Sequence, residues 1–467
     1  MSVREKPVEQ TYRLVVTRRE ATELLLTTNG PGRSLPRLSV RAGERRTSQL
    51  VEGAKTKYGV HAYCLFVPNF SIAADRTPHT RYAVMEAVEA NGCAHPGTAW
   101  VPVPLAAPEC ILSGPDGHGL KTSFEELELH IAQPFKSPFA KPGWIRELLR
   151  WTQAQIDPLG LEVTGSFRQL NAAPSFSLIR LDTTGPAVWF KATGEPNFRE
   201  LAITCALARL FPSYLPDLVA VRPAWNAWLS RECHGETLNN FREVSAWART
   251  AETLARMEIA SIGKSRDLRA SGCRDLTLVA LASRIDPFLT RMSERMKLQR
   301  AEPPNILSDS DLAYLRAVLH EACSTLEHAS LPDVLAHLDF NPGNIVVTSE
   351  KCVFLDWAEG SVASPFITFC YLREHALRGP IATGNALERL TASYLRPWRS
   401  LLSPSDISRG MAASAMVAVL AYALALDDST SPQRPETPAE AGLLRSLARR
   451  MYSEAANLRS EICQHAS

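Results

Sequence analysis

The feature that most constrains this chain is a short β-like segment inside a helical half. From about residue 239 onward apolar positions recur mostly at helical spacing, and the interruption is NIVVTSEKCVFLDW at 344–357. Two apolar runs, 345–347 and 352–355, flank the polar stretch 348–351, which predicts an antiparallel hairpin. A hairpin brings its ends together. Asn344, just before the first strand, and Asp356, just after the second, are therefore predicted neighbours, and Asp339 lies five residues before Asn344 in the same loop, LAHLDFNPGN.

One carboxylate and one amide oxygen at a hairpin mouth suit a hard cation such as Mg2+, which takes oxygen ligands and keeps waters or phosphate oxygens for the rest. A second carboxylate, Asp339, not needed by the metal, can orient and deprotonate a hydroxyl. The same residues also favour turns, so His337, Asp339 and Asn344 equally read as a capped loop. Other parts of the chain must decide between the two.

Size and composition narrow the class. A chain of 467 residues has room for about three domains. With 45% hydrophobic and 21% charged residues, the composition is that of a globular protein. A net charge of +2 gives no reason to expect nucleic acid or a membrane surface as partner. The ten cysteines are spread singly, without CxxC or metal-ligand spacing, and the start MSVREKPVEQ lacks an apolar signal core; both predict a cytoplasmic protein with reduced thiols. The long apolar run GMAASAMVAVLAYALAL (410–426) is slightly short for a membrane span and is expected to be a buried helix.

Three blocks follow. In residues 11–130, TYRLVVT, ELLLTT and VHAYCLFVP read as strands and TSQLVEGAKTKY as a helix, an α/β unit. It ends in AQPFKSPFAKPG, whose prolines predict a linker or an extended docking strap. The second block opens with GWIRELLRWTQAQIDPLG, apolar along one helical face, and continues with antiparallel strands in FRQLNAAPSFSLIRLDTTGPAVWFKAT before the helical NFRELAITCALARLF. The third is the helical block carrying the hairpin.

At this point HLDFNPGN followed by FLDW resembles the catalytic loop and metal-binding aspartate of the aminoglycoside phosphotransferase and choline kinase-like enzymes, small-molecule relatives of protein kinases. The resemblance spans about residues 143–370. It implies an α+β, protein kinase-like bilobal fold with a small antiparallel-sheet lobe at 136–228 and a mainly helical lobe at 229–467, behind a first domain at 1–135. It further implies ATP or GTP and Mg2+, with a small hydroxyl-bearing acceptor. Asp339 would be the base, and Asn344 and Asp356 the metal ligands.

By the same resemblance VWFKA supplies the phosphate-holding Lys191, and Glu200, nine residues on, its ion-pair partner. AWLSRECHGETL resembles the inter-lobe hinge, with backbone around Arg231 and Cys233 meeting the nucleotide base. QLNAAPSFS stands where kinases carry a Gly-rich loop but has no glycine, so Ser175 and Ser177 are the expected phosphate-facing groups. After Asp356 the family's Gly-Asp-Pro is replaced by Ala363-Ser364-Pro365-Phe366, which removes the usual brace of His337, a residue expected to shape the loop. A rival reading is a nucleotide-binding regulatory protein without turnover.

Residues 11–68 resemble a Nudix fold in which the paired metal-binding glutamates are replaced by Thr56 and Lys57, leaving Glu44 as the acidic match. Hydrolysis at this domain is therefore not expected. Its helix region is basic (Arg37, Arg41, Arg45, Arg46, Lys55, Lys57), which suits an anionic ligand or, more commonly, a solvated face. The domain is expected to be separable: removal of 1–135 should spare nucleotide binding.

Overall fold

The computed structural model describes residues 9–28, 32–68, 81–88, 95–104, 108–112, 114–300, 304–379, 381–382, 384–428 and 436–465. The chain is mixed α+β and divides into two compact units, Met1–Leu201 with Asp217–Glu232, and Ala202–Pro216 with Cys233–Ser467.

The first unit begins with β1 (Glu9–Arg18), β2 (Glu23–Thr27), β3 (Arg37–Arg41), α1 (Arg46–Tyr58), β4 (Ala62–Phe66), β5 (Arg81–Ala87), β6 (Thr98–Pro102) and α2 (Gly114–Ala132). Its six-stranded sheet has the order β4-β5-β1-β2-β6, with β3 also on β1, and β1 runs parallel to β5. Strand alternation sorts β1 between two cores: Tyr12, Leu14 and Val16 pack under α1, while Val15 faces the opposite side.

α3 (Trp144–Ile156) follows, then β7 (Val163–Ala173), β8 (Phe176–Thr183) and β9 (Val188–Ala192). The chain leaves this unit through α4 (Glu200–Leu210) and returns to it for β10 (Leu218–Arg222) and β11 (Ala227–Arg231). The five strands are antiparallel in the order β10-β11-β9-β8-β7. α3 buries Trp144, Ile145, Leu148, Thr152 and Ile156, the face expected from its spacing.

The segment expected to be a linker or strap is a strap. Phe139 and Ala140 are buried; Phe139 donates its backbone N–H to Pro174 O at 3.1 Å and packs edge-on against Trp144, Phe190 and Trp225. One core joins Val15, Leu24, Tyr82 and Phe124 of the first block to Phe139, Trp144, Phe190 and Leu229 of the second. Gln169 of β7, itself buried, strengthens this union: its side chain accepts from Cys64 N at 2.8 Å and donates to Cys64 O at 2.9 Å. β4 is an edge strand of the larger sheet, and this amide occupies its open backbone groups as a neighbouring strand would. The apolar face of 1–135 is thus shared with the five-stranded sheet, which bears on the expectation that this block is separable.

The second unit contains β12 (Glu236–Thr237), α5 (Val244–Ala260), α6 (Ser265–Ala270), β13 (Arg274–Leu276), α7 (Leu278–Lys297), α8 (Asp309–His328), β14 (Val334–His337), β15 (Ile345–Val347), β16 (Cys352–Phe354), β17 (Gly360–Ala363), α9 (Ile367–Arg378), α10 (Ala386–Trp398), α11 (Pro404–Asp427) and α12 (Pro438–His465). α11 carries the long apolar run. Among the described residues it is long and apolar enough to cross a membrane, yet 72% of its most apolar window is buried within the protein, in one cluster with residues of α7, α8 and α12. Ser308 and Asp311 form a reciprocal capping box that fixes where α8 starts.

Candidate active site

The hairpin is present in the expected register, Ile345 opposite Phe354 and Val347 opposite Cys352. Leu355 N donates to Asn344 O at 2.8 Å, so Asn344 and Asp356 flank one closing hydrogen bond. Asp356 sits in the left-handed region at φ 64°, a conformation that aspartate tolerates better than most residues.

Asp339 is exposed between buried Leu338 and Phe340. Two amides hold its carboxylate: Asn341 Nδ2 donates to Oδ1 at 3.0 Å and Asn344 Nδ2 to Oδ2 at 3.1 Å. Asn341 also caps the short turn Pro342–Asn344 by accepting from Gly343 N at 2.9 Å. Because Asn344 commits its NH2 to Asp339, its carbonyl oxygen is the end left to meet a cation. Each carboxylate oxygen of Asp339 keeps acceptor capacity for a hydroxyl. Among the described residues no cluster of three or more His, Cys, Asp or Glu side chains could hold a metal; an ion at this loop would draw on Asn344 and Asp356 together with oxygens from outside the chain. That donor chemistry fits Mg2+.

His337, at the end of β14, is fully enclosed. Its Nε2 lies 2.9 Å from Leu355 O, and Asp339 N donates to its Nδ1 at 3.2 Å, which sets the ring as a neutral Nε2–H tautomer. Burial holds its pKa below the usual histidine range. The brace missing from the sequence is supplied elsewhere: His337 N donates to the hydroxyl of Thr368, near the start of α9, at 3.0 Å. The imidazole links the Asp339 backbone and the end of the hairpin.

Two further groups sense Asp339. Burial lowers the pKa of His375 on α9, with the Asp339 charge acting against the shift; burial and then Asp339 and Glu359 raise that of Tyr422 on α11. A neutral imidazole and a neutral phenol thus share the Asp339 surroundings, with Glu359 paired to Arg274.

In the first unit Lys191 lies on the central strand β9 and Glu200 opens α4, where its carboxylate is 1% exposed. Lys191 Nζ is 2.5 Å from Glu200 Oε1 and 5.7 Å above the Trp228 ring. Asn226 steadies the intervening turn by donating to Thr193 O at 2.6 Å and Phe198 O at 2.9 Å.

Pro174 and Ser175 form the two-residue connection between β7 and β8, and Ser175 is partly exposed there. Ser177 is different: it is fully buried in β8, with its Oγ enclosed, so the hydroxyl expected to face phosphate faces the interior. Arg231 ends β11, its N–H donating to Asp217 O at 2.9 Å; Cys233 is partly exposed and begins the second unit's main segment.

No protein-family model matches this chain, and no curated protein matches it. Matching solved structures include a macrolide 2′-phosphotransferase from Brachybacterium faecium, 15% identical over 65% of this chain and 98% of that one, TM-score 0.44. An ethanolamine kinase from Plasmodium vivax is 14% identical over 66% and 85%, TM-score 0.44. A choline kinase from Streptococcus pneumoniae is 12% identical over 66% and 99%, TM-score 0.44. Scores of this size decide neither activity nor substrate, and the assignment below rests on the residues just described.

Asn341, Thr368 and Asn226 were not singled out by sequence reasoning. Asn341 had a local signal, the N-P-G turn after Asp339. Thr368 and Asn226 act on partners 31 and 33 positions away in the chain, and no spacing announces such a contact.

Proposed function

We propose that the protein is an ATP- or GTP-dependent phosphotransferase acting on a hydroxyl of a small molecule. The observation that carries this reading is the Asp339 carboxylate, solvent-facing and clamped at both oxygens by Asn341 and Asn344, in a loop tied through Leu355 to Asp356.

In this reading Asp339 accepts the acceptor's proton as the hydroxyl oxygen bonds to the γ-phosphorus and the bond to the β-γ bridging oxygen breaks. Lys191, positioned by Glu200, binds phosphate oxygens. Asn344 and Asp356 are the proposed Mg2+ ligands, and the ion would neutralise developing phosphate charge. Ser175, at the β7–β8 connection, is the remaining hydroxyl candidate for phosphate contact, and backbone at Arg231 and Cys233 is proposed to meet the nucleotide base. His375 and Tyr422 offer the acceptor neutral hydrogen-bonding groups near the base. The residues from Trp357 onward hold ten acids against eleven arginines, no surplus that would draw a polycation.

The test is turnover of Mg·ATP and Mg·GTP against a panel of small alcohols, wild type beside Asp339→Ala. Transfer by the wild type, reduced at least about a hundred-fold in the variant with nucleotide binding kept, is the expected result. Binding without transfer to any acceptor by either protein favours the regulatory reading. Absence of thermal stabilisation by millimolar Mg·ATP and Mg·GTP overturns the nucleotide assignment altogether.

A further inference from the structure

The connection between β7 and β8, Pro174 and Ser175, contains no glycine, and the ladder behind it is irregular: the register of β7 on β8 shifts between Gln169 and Asn171. Such a shift locally interrupts the pairing of two strands. The hairpin is held instead from outside itself.

The holds come from residues that precede α3. Gln169 is 1% exposed, and its side-chain amide meets Cys64 N at 2.8 Å and Cys64 O at 2.9 Å on β4. Water cannot replace these hydrogen bonds at a site so enclosed. Ser48 of α1 donates to Gln169 O at 3.2 Å, Phe167 stacks on His61 with ring centroids 5.2 Å apart, and Ala172 packs against the cluster of Leu14, Leu50 and Ala54. At the turn itself, Phe139 N of the strap donates to Pro174 O at 3.1 Å. Gly194, just after β9, lies directly against Ser175.

We propose that the first block is part of the nucleotide-binding apparatus: through Gln169, a positioning residue, it fixes where the Pro174–Ser175 connection stands relative to Lys191. The proposal rests on the phosphotransfer reading. Leu178 pairs with Lys191 across β8 and β9, so a displacement of the hairpin turn changes the distance between Ser175 and the ammonium. A connection without glycine has little backbone freedom to wrap onto a phosphate after it arrives. Its groups must be in place beforehand, and holding them so spares the nucleotide the cost of ordering them. Residues of the first block thereby contribute to nucleotide affinity through the hairpin.

Gln169→Met nearly keeps the side-chain volume and removes both hydrogen bonds to Cys64. The full chain carrying it tests the proposal by hydrogen exchange and by thermal titration with Mg·ATP and Mg·GTP. Expected are faster exchange at residues 170–177, with the 345–354 hairpin unchanged, and an affinity for the tighter nucleotide lower by roughly ten-fold. Affinity for the matching nucleoside, which has no phosphate, should stay as it is in the wild type. The proposal is overturned if exchange at 170–177 does not change, or if nucleoside and nucleotide lose affinity equally. A wild type that binds neither nucleotide overturns the phosphotransfer reading and this proposal together; a variant that binds nucleotide as tightly as the wild type overturns this proposal alone. Should Gln169→Met fail to fold, Ser48→Ala, at a partly exposed position, decides by the same measurements with an expected loss of roughly three-fold.

Discussion

Lys191 and Glu200 show how a single ion pair constrains a strand and a helix. Glu200 is nearly inaccessible, so its carboxylate depends on the ammonium that reaches it from β9. Replacing Lys191 by methionine leaves that carboxylate buried without its cation, which should cost roughly 3 kcal/mol in urea unfolding. Lys191→Met with Glu200→Gln should recover a good part of that loss, because the double variant strands no charge. A loss no larger than that of an exposed lysine would mean that Glu200 is satisfied without Lys191. Both residues were legible in the sequence through their motif context. Asn226, which fixes the turn between them, was not, since it is an ordinary residue whose role exists only once β11 has folded beside β9.

Among the elements, α5, α9 and α10 meet at a buried polar chain. Tyr394 of α10 donates to Glu258 of α5 at 2.5 Å and accepts from Phe366 N at 3.1 Å, where the chain turns through φ 76° into α9. Thr368 then braces His337, so this chain reaches the loop of Asp339. Burial pushes the Glu258 carboxyl up to about 8 from its usual 4.5. In the folded protein it is thus neutral over a range where the unfolded chain has already released its proton. Stability contributed by the neutral form is fully present below about pH 4.5 and declines as pH rises toward 8, then levels off. Urea denaturation across that window should show the wild type losing a few kcal/mol that Glu258→Gln, neutral throughout, retains. Parallel curves would place the ionised carboxylate in the native core. The hairpin at 345–354 and the amphipathic face of α3 could be read from spacing, because local periodicity encodes them. This polar chain could not: its members lie on four separated segments, and each alone reads as a surface residue.

For the whole molecule, the question with the largest consequence is whether the first block can stand apart from the second. Composition and the proline-rich strap suggest a detachable domain, whereas Val15, Leu24, Tyr82 and Phe124 share a core with Phe139, Trp144 and Phe190. Deleting residues 1–135 should therefore expose an apolar sheet face and leave Gln169 without Cys64, giving aggregated protein rather than a soluble fragment. Size-exclusion chromatography of the truncated protein checks this, and a monomeric fragment that still binds Mg·ATP would refute it. The strap itself was legible as an alternative, since Pro134, Pro138 and Pro142 exclude regular structure. What it docks against was not, because a shared core is a property of two sheets and of no single stretch of sequence.

Gly194 adds a consequence for the hairpin turn it faces. A Cβ placed there would come within 2.5 Å of Cβ and Oγ of Ser175, so the turn after β9 approaches the β7–β8 connection as closely as a residue without a side chain allows. The residue without a side chain at this approach is Gly194, in the segment facing the hairpin turn. A side chain at position 194 would therefore have to push the Pro174–Ser175 turn aside, so the spacing between the two segments is set from the β9 side.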